Sequence, residues 1–509
     1  MRRPLASLLL ILLLLSVLRL ALGARVGVIP DEAYYWTWSL QPDWCYWDQP
    51  GGIAWAHWLW DQAFGASRLS LRALAVFLAL VASLLIYGLL RRVMDKTAAA
   101  LGVLLLQITP LFAAGAVLIL HDSLLLAIAA GAWWLFAKIV LDDRPRWWPL
   151  LGVLCACGLY AKFSMVIVAF GFFLALLTQP RGRAHLRTPW PYLGALATAV
   201  LFAPVVLWNL KHDWIARRAV SKLAFDPDVV GAARLASFFD FIGGQIGVIT
   251  PVLAVVGIIA AIAAWRERRD DEGKRLLLAV PALTILAYFA VNAWRAKIQA
   301  NWPAVAWLAL TPLAVDWIMR RIDAGRTHAP RWLVAVALTV LLPTIALHAH
   351  VFHPLVTIKT DITAQFYGYD GLAEHVNAFR ERYPQAALMT KRYQTASELV
   401  YHLVDRPSVY TADFAHRGSQ FTLDNDWAKL IGRDVLYVDE QTMPGKLQRH
   451  FASVVELAPY VHQRGDAPAR RMRVYLAQNM RWSGPLESYF EDPVGHQIER
   501  MERRKHKGD

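Results

Sequence analysis

Long apolar runs recur along the first 350 residues of this 509-residue chain, and they constrain its fold more than any other feature. A helix needs roughly 20 apolar residues to cross the hydrocarbon core of a bilayer. Runs near that length lie at 5–22, 69–90, 98–119, 123–141, 147–161, 163–178, 190–208, 241–264, 276–292, 302–319 and 332–348. The short runs at 147–161 and 163–178 could instead form one re-entrant pair. We therefore predict a polytopic α-helical membrane protein with about 11 transmembrane helices.

Composition excludes the other broad classes of protein. Hydrophobic residues make up 57% of the chain and charged residues 18%, against about 45–50% and about 25% in soluble proteins. One water-soluble core cannot bury so much apolar surface, and disorder, a coiled coil and a disulfide-rich module are excluded as well. Two of the three cysteines, Cys155 and Cys157, lie in an apolar run without a neighbouring histidine, which favours membrane packing over a metal site.

Positive charge alternates between the loops. The chain has 53 Lys and Arg against 39 Asp and Glu, a formal net charge of +14. In a soluble protein this excess would suggest nucleic acid. Here the Arg-rich and Lys-rich segments occupy every second loop, at 91–92, 142–146, 181–187, 265–275 and 320–331. The positive-inside rule places these loops in the cytoplasm, so we predict contact with membrane lipids and no nucleic-acid partner.

The two ends of the chain differ in character. The run at 5–22 follows Arg2 and Arg3 and is either a cleaved signal peptide or a retained anchor; both put residue 25 outside. After residue 354 the composition is that of soluble protein, with a basic tail at 500–507 that we predict to be disordered. We predict strands at 387–390, 408–411, 435–438 and 474–477, and helices at 395–403 and 446–457. The expected organisation is a transmembrane domain over 1–350 and a C-terminal soluble α/β domain over 354–509, which an odd number of spans places in the periplasm.

Acidic and aromatic residues are concentrated in the first outward loop, in the segments DEAYYW at 31–36 and WCYWDQPGG at 44–52. Aromatic faces pack on sugar rings or prenyl chains, and a carboxylate in a partly dry site can accept a proton or orient a hydroxyl. An interfacial amphipathic helix with its rings among the lipid headgroups is the alternative explanation.

Two further polar residues lie at the ends of spans. Asp122 follows His121 at the outer end of the third span, where a carboxylate without a partner is costly and therefore indicates function. The alternative is that Asp122 is the N-cap of the following helix. Lys162 lies between two short spans, where it could bind a phosphate, pair with an acid or extend its ammonium group to the interface.

Cations in two outward loops break the positive-inside pattern. The segment WNLKHDW at 208–214 contains Lys211 and His212, and WRAKIQANWP at 294–303 contains Arg295 and Lys297. Such cations suit an anionic headgroup or a pyrophosphate. Loose contact with anionic lipids explains them equally well.

Five blocks in the same order resemble the C-type superfamily of membrane glycosyltransferases. They are DEAYYW at 31–36, YWDQP at 46–50, HD at 121–122, GLYAKFS at 158–164 and NWP at 301–303. The pattern is most similar to the branch that contains dolichyl-phosphate-mannose protein mannosyltransferases and the bacterial lipid A aminoarabinose and galacturonic acid transferases. The segment HRGSQF at 416–421 resembles a short element of the soluble domain in that branch.

The resemblance implies an inverting transfer of a monosaccharide from a polyprenyl-phosphate carrier at the periplasmic face of the inner membrane. It implies Asp31 as the carboxylate that activates or orients the acceptor, Glu32 as its neighbour and Asp122 as a second acid lining the site. These three are the candidate catalytic residues. The candidate substrate-binding residues are Asp48, Gln49, Lys162, Lys211, His212, Arg295, Lys297 and Asn301. Because cations can stabilise a monophosphate leaving group, we predict no obligatory metal and no other cofactor.

One position departs from the pattern of the branch, which often has His or Lys where this chain has Gln49 and a second proline where it has Gly51. Gln49 cannot supply charge to a phosphate, so Lys211 or Arg295 would have to support the donor phosphate.

The acceptor and the sugar stay open. The basic outward loops favour an anionic glycolipid, lipid A or lipopolysaccharide core, over a protein hydroxyl that Asp31 would have to activate. A transporter or flippase with an outer sensing domain is a further alternative, but the charged residues gather at span ends and no repeated halves are visible. The enzyme hypothesis requires Asp31 and Asp122 to converge on one chamber.

Overall fold

The helices of the amino-terminal part follow the apolar runs of the sequence. The computed structural model describes residues 4–224, 229–356, 361–412, 418–464 and 467–481. Its first seventeen helices are α1 Pro4–Gly23, α2 Pro30–Trp38, α3 Gly52–Phe64, α4 Arg68–Leu90, α5 Lys96–Gln107, α6 Pro110–Gly115, α7 His121–Leu141, α8 Trp148–Ala161, α9 Met165–Leu177, α10 Pro180–His185, α11 Trp190–Lys211, α12 Ile215–Ala224, α13 Ala232–Ile249, α14 Pro251–Arg266, α15 Leu276–Ala293, α16 Ala304–Asp323 and α17 Ala329–Phe352.

Seven helices of the described chain are long and apolar enough to cross a membrane, namely α1, α4, α7, α11, α13, α15 and α17. Three more, α5, α9 and α14, are apolar but shorter. These lengths agree with a multi-pass helical membrane protein. The total of about 11 spans stays a prediction, as does the retention of the first helix.

Two of the predicted continuous runs are each divided into two helices. The run at 98–119 separates into α5 and α6 before Pro110. The run at 241–264 separates into α13 and α14 before Pro251, and Thr250 there has a φ of 84°. A proline has no amide hydrogen and clashes with the preceding turn, so it is best tolerated in the first turn of a helix, where Pro110 and Pro251 lie.

Close helix packing fixes the elements that carry the outward loops. Helices α8 and α11 cross at glycines, and a Cβ atom on Gly152 would lie 2.1 Å from the carbonyl oxygen of Gly194. Only a residue without a side chain allows this approach. Helix α4 packs against α7, and α9 packs against α15. The start of α7 and the end of α8 are therefore held in defined positions.

A six-stranded mixed sheet forms the core of the carboxyl-terminal region. Its strands are β1 Ala387–Thr390, β2 Val409–Thr411, β3 Val435–Asp439, β4 Phe451–Glu456, β5 Tyr460–Arg464 and β6 Ala467–Met480, and its helices are α18 Tyr369–Arg382, α19 Tyr393–His402, α20 Gln420–Asp424 and α21 Gly445–Gln448. The order is β2-β1-β3-β6-β4, with β5 also paired to β6. Strands β2, β1 and β3 are parallel, whereas β3, β4 and β5 run antiparallel to β6. Helix α19 connects β1 to β2 and packs against α2 of the amino-terminal part.

The four predicted strands are confirmed in position, and the helix predicted at 395–403 corresponds to α19. The helix predicted at 446–457 is wrong. Only the turn α21 is helical, and residues 451–456 form β4, where Val455 pairs with Leu476 of β6. The division of the chain at 350–354 stays a prediction, and the tail at 500–507 lies outside the described residues.

Candidate active site

The first outward loop is held by a buried ion pair. Helix α2 begins at Pro30, and the Glu32 carboxylate accepts the amide of Ile29 at 3.2 Å and that of Ile119 at 2.9 Å. The same carboxylate pairs with the guanidinium of Arg72, and both side chains are fully buried. Glu32 thus joins α2, α4 and the segment before α7. The structure does not place this residue in the cavity described below, so its geometry fits a positioning role and not the predicted catalytic one.

A second polar centre joins three distant segments. The Nζ atom of Lys162 lies 2.7 Å from Oδ1 of Asp122, and the Asn301 amide donates to Oδ2 at 2.8 Å. The Asp122 side chain is 17% exposed and that of Lys162 is 12% exposed. The N-cap position of α7 is occupied by Leu120, so the alternative interpretation of Asp122 as the N-cap is wrong.

One cavity of about 290 Å³ unites these residues with Asp31. Its volume is near the lower end of the usual range for small-molecule sites. The polar lining consists of Asp31, Asp48, Gln49, His121, Asp122, Lys162, Ser164, Asn292, Gln299 and Asn301, and the aromatic lining of Tyr35, Phe163, Tyr288, Phe289, Trp302 and Tyr393. The convergence of Asp31 and Asp122 on one chamber is therefore present in the structure.

The described cavity lining contains more acidic side chains than Lys or Arg side chains. The described residues of the lining include three carboxylates, those of Asp31, Asp48 and Asp122. Lys162 is the only Lys or Arg of this described lining. The ammonium group of Lys162 lies 6.0 Å from the centre of the Trp302 ring. Aliphatic and aromatic side chains, including Tyr288 of the apolar helix α15, form the apolar part of the wall. The arrangement can hold a polar group beside a hydrophobic chain.

A tight turn brings Asp48 and Gln49 to the cavity wall. Cys45 and Pro50 form a β-bridge, and the amide of Tyr46 donates to the carbonyl of Gln49 at 2.9 Å. Asp48 is buried. The sequence prediction that both side chains belong to the site agrees with their position in the cavity lining.

Four predicted cations are not brought to the cavity. Lys211, His212, Arg295 and Lys297 are exposed, and none of them is part of the lining. Helix α11 ends at Lys211, and the His212 ring stacks on Trp208 with 3.9 Å between the ring centres. From the loop after α15, Ile298, Gln299 and Asn301 line the cavity, whereas Arg295 and Lys297 do not. Neither Lys211 nor Arg295 is part of the described cavity lining, and their support of the donor phosphate stays a prediction.

Sequence reasoning missed Tyr393 altogether. Its hydroxyl donates to Oδ1 of Asp31 at 3.1 Å, and its ring contacts Tyr34 at 4.4 Å between centres. The residue lies 362 positions after Asp31 in an ordinary soluble segment, so no local pattern indicates it.

In the sequence block at 121–122, Asp122 has a predicted function, whereas the imidazole of His121 has none. Its Nδ1 atom lies 2.9 Å from the carbonyl oxygen of Ala161. A carbonyl only accepts, so Nδ1 carries a proton in this contact. This bond ties the start of α7 to the end of α8 beside Lys162.

The carboxyl-terminal region docks on the first outward loop. The amide of Trp47 donates to Oε1 of Gln420 at 3.0 Å, and the amide of Gln420 donates to the hydroxyl of Tyr34 at 2.7 Å. The Phe421 ring stacks on Tyr34 at 6.0 Å. Of the predicted segment 416–421, residues 418–421 make this contact, while 416 and 417 lie outside the described residues.

A buried acid lies in the same interface. Burial raises the pKa of the Glu398 carboxyl on α19 to about 7, and the imidazole of His402, 3.2 Å away, partly opposes the rise. The carboxylate of Glu32 acts in the same direction as burial. The carboxyls of Glu398 on α19 and Glu32 on α2 therefore lie near the contact between these two helices.

Within the part of the chain that the structure describes, no group of three or more His, Cys, Asp or Glu residues is arranged to hold a metal ion. The prediction that the enzyme needs no metal stays a prediction.

Comparisons with known proteins find a similar sequence family and similar folds. Residues 48–208 match the family described as dolichyl-phosphate-mannose-protein mannosyltransferase. The structure of ArnT from Cupriavidus metallidurans bound to undecaprenyl phosphate aligns with a TM-score of 0.60 and 15% identity, over 92% of this chain and 97% of that chain. The apo structure of ArnT aligns with a TM-score of 0.57 and 14% identity, over 92% and 98%. Together these similarities support a membrane glycosyltransferase of the C-type superfamily.

A curated relative of this chain is the lipid A galacturonosyltransferase RgtD of Rhizobium johnstonii. It is 27% identical over 297 residues, which cover 57% of this chain and 60% of the relative. The match thus spans about 60% of the length of that relative. The family resemblance inferred from the five sequence blocks is confirmed.

Proposed function

We propose that this protein is an inverting glycosyltransferase that moves a monosaccharide from a polyprenyl-phosphate carrier to lipid A or lipopolysaccharide core, at the periplasmic face of the inner membrane. The observation that carries the proposal is the single cavity in which Asp31, Asp122 and Lys162 meet. The similarity to a lipid A galacturonosyltransferase and the fold shared with ArnT bound to undecaprenyl phosphate support this donor and acceptor class.

The donor phosphate would lie at the Lys162 end of the cavity. In the reaction the bond between the anomeric carbon and the phosphate oxygen breaks, and the prenyl phosphate leaves with the electron pair. Lys162 is a preorganised donor for the charge that develops on this oxygen, and Asp122 and Asn301 hold its ammonium group in place. The apolar lining from α9 and α15 suits the prenyl chain.

Asp31 would lie on the acceptor side. The acceptor oxygen attacks the anomeric carbon from the face opposite the phosphate, which inverts the configuration. A hydroxyl acceptor would pass its proton to the Asp31 carboxylate, whereas a lipid A phosphate is already an anion and would need orientation only. Asp48 is a candidate contact for sugar hydroxyls because it lies in the same wall.

The exposed cations outside the cavity favour an anionic glycolipid over a protein acceptor. Lys211 is the last residue of α11, whereas Arg295 and Lys297 follow the end of α15. The loop after α15 also supplies Asn301 to the cavity. Cations on such a rim can attract a phosphorylated headgroup without contacting the reacting atoms. A protein O-glycosyltransferase remains the alternative within the same superfamily.

Mass spectrometry of lipid A and core from cells with and without this protein tests the proposal. Cells that express the wild-type chain should carry an additional monosaccharide that is absent from the deletion strain and from cells expressing Asp31→Asn or Asp122→Asn. The matched control is Asp142→Asn, the same substitution at the opposite end of α7, where the carboxylate pairs with Arg92 on the surface. An unchanged glycolipid profile together with a lost modification on an envelope protein would favour the protein acceptor instead.

A further inference from the structure

The carboxyl-terminal region contributes a side chain to the cavity of the membrane part. Tyr393 is the first residue of α19, directly after β1, and it is part of the cavity lining. Its hydroxyl lies 3.1 Å from Oδ1 of Asp31. A phenol donates to a carboxylate in this geometry, and a bond to a charged acceptor is stronger than a neutral one.

The position of Tyr393 is fixed from several sides. Its carbonyl accepts the hydroxyl of Ser397 at 2.6 Å within α19, and its ring packs against Tyr34 of α2. The hydroxyl of Tyr34 is in turn held by the amide of Gln420. Helix α19 also packs along α2, the helix that carries Asp31. The contact therefore joins two helices that pack against each other.

We propose that Tyr393 is a positioning residue for Asp31. This inference rests on the proposed glycosyl transfer and adds that the carboxyl-terminal region completes the reaction site. Asp31 lies in the first turn of α2, where its side chain has rotational freedom that the helix alone does not remove. The phenol of Tyr393 holds one carboxylate oxygen, so that the group is oriented before the acceptor arrives.

The Tyr393 hydroxyl donates to the acid on the proposed acceptor side of the cavity. The proposed donor side is built from a different hydrogen-bonded set, that of Lys162, Asp122 and Asn301. Removal of the Tyr393 hydroxyl should therefore change the rate of transfer and leave the affinity for the polyprenyl donor in place.

The test compares Tyr393→Phe with Tyr401→Phe in the full-length purified protein. Tyr401 lies two turns later on the same helix, packs edge-on against Trp36 and is outside the cavity lining of the described chain. Tyr393→Phe should lower kcat by about tenfold to a hundredfold, with the KM for the donor within about twofold of wild type and the thermal unfolding temperature unchanged. Tyr401→Phe should keep the wild-type kcat.

Two results would overturn the inference while leaving the proposed function intact. One is a wild-type enzyme that transfers sugar and a Tyr393→Phe variant with the same kcat. The other is an equal loss in both variants that follows the loss of folded protein. If the wild-type protein transfers no sugar to any glycolipid or protein acceptor, the proposed function itself fails.

Discussion

Adjacent carboxylates at residues 31 and 32 have opposite surroundings. Asp31 lines the cavity, whereas Glu32 is fully buried against Arg72. Loss of one partner from a buried ion pair leaves an uncompensated charge and typically costs about 3–5 kcal/mol. We therefore expect Glu32→Gln to lower the thermal unfolding temperature and the folded yield. Asp31→Asn should abolish transfer with an unfolding temperature near that of wild type.

Fluorescence-detected size-exclusion chromatography after a temperature series measures this difference in detergent. The two variants are matched, since each replaces a carboxylate by its amide at neighbouring positions of one helix. A Glu32→Gln protein that is as stable as wild type and catalytically inactive would restore Glu32 to the catalytic set.

Asp31 and Glu32 also show which features of a site an acidic motif can predict and which it cannot. The acidic motif predicts that α2 bears the site, and the positions of Asp31, Asp48, Asp122, Lys162 and Asn301 agree with that prediction. Successive residues of a helix point about 100° apart, so two neighbours can have different surroundings. Glu32 is directed to Arg72, 40 positions away, and no local pattern contains that information.

The charge on Lys162 leads to a separate prediction. Within the described lining it is the single Lys or Arg of the cavity, and a charge-assisted bond contributes about 1.5–3 kcal/mol. Lys162→Met should therefore raise the KM for the polyprenyl donor by about tenfold to a hundredfold.

Lys211→Met and Arg295→Met are the controls for this experiment, because both side chains are exposed outside the cavity. Steady-state kinetics with varied donor concentration gives the three KM values. A larger effect of either control than of Lys162→Met would return the phosphate subsite to the outward loops.

At the scale of elements, the segment 418–421 is one part of the carboxyl-terminal region that docks on the first outward loop, beside α19. Gly418 has a φ of 72°, and a Cβ atom there would lie 2.4 Å from the Trp47 ring. Gly418→Ala should displace this segment, weaken the bond between Gln420 and the Trp47 amide, and reduce transfer severalfold.

Gly432→Ala provides the matched control. Gly432 has a φ of 76°, and no atom of the described residues lies within 4 Å of the position that a Cβ atom would occupy there. Both variants carry the same backbone strain, so a difference between their transfer rates reports the contact with Trp47. Equal rates would show that docking of the segment is dispensable for transfer.

The elements themselves were predictable to different degrees. Apolar length predicts most helices of the membrane part, and runs of buried residues predict β1 and β3. The segment 451–456 does not reveal its strand locally, because its pairing partner, β6, lies beyond β5 in the chain. Breaks at Pro110 and Pro251 were visible as prolines, yet an apolar run with a proline can also continue as a kinked helix.

At the scale of the whole molecule, two contacts place the carboxyl-terminal sheet on the same side of the helices as the cavity. The first joins Tyr393 to Asp31, and the second joins Gln420 to Trp47. The sheet and the first outward loop therefore share one aqueous face. The distribution of Arg and Lys among the alternating loops predicts that this face is the periplasmic one.

Cysteine labelling in right-side-out membrane vesicles tests this orientation. Val404 is fully exposed on the sheet side, and Arg144 is exposed in the loop after α7. In a background with Cys157→Ser, which removes the exposed native thiol, a membrane-impermeant maleimide should label Val404→Cys in intact vesicles. It should label Arg144→Cys only after permeabilisation. Because Tyr393 and Asp31 are in contact, the reverse pattern would place the cavity in the cytoplasm and exclude a periplasmic acceptor.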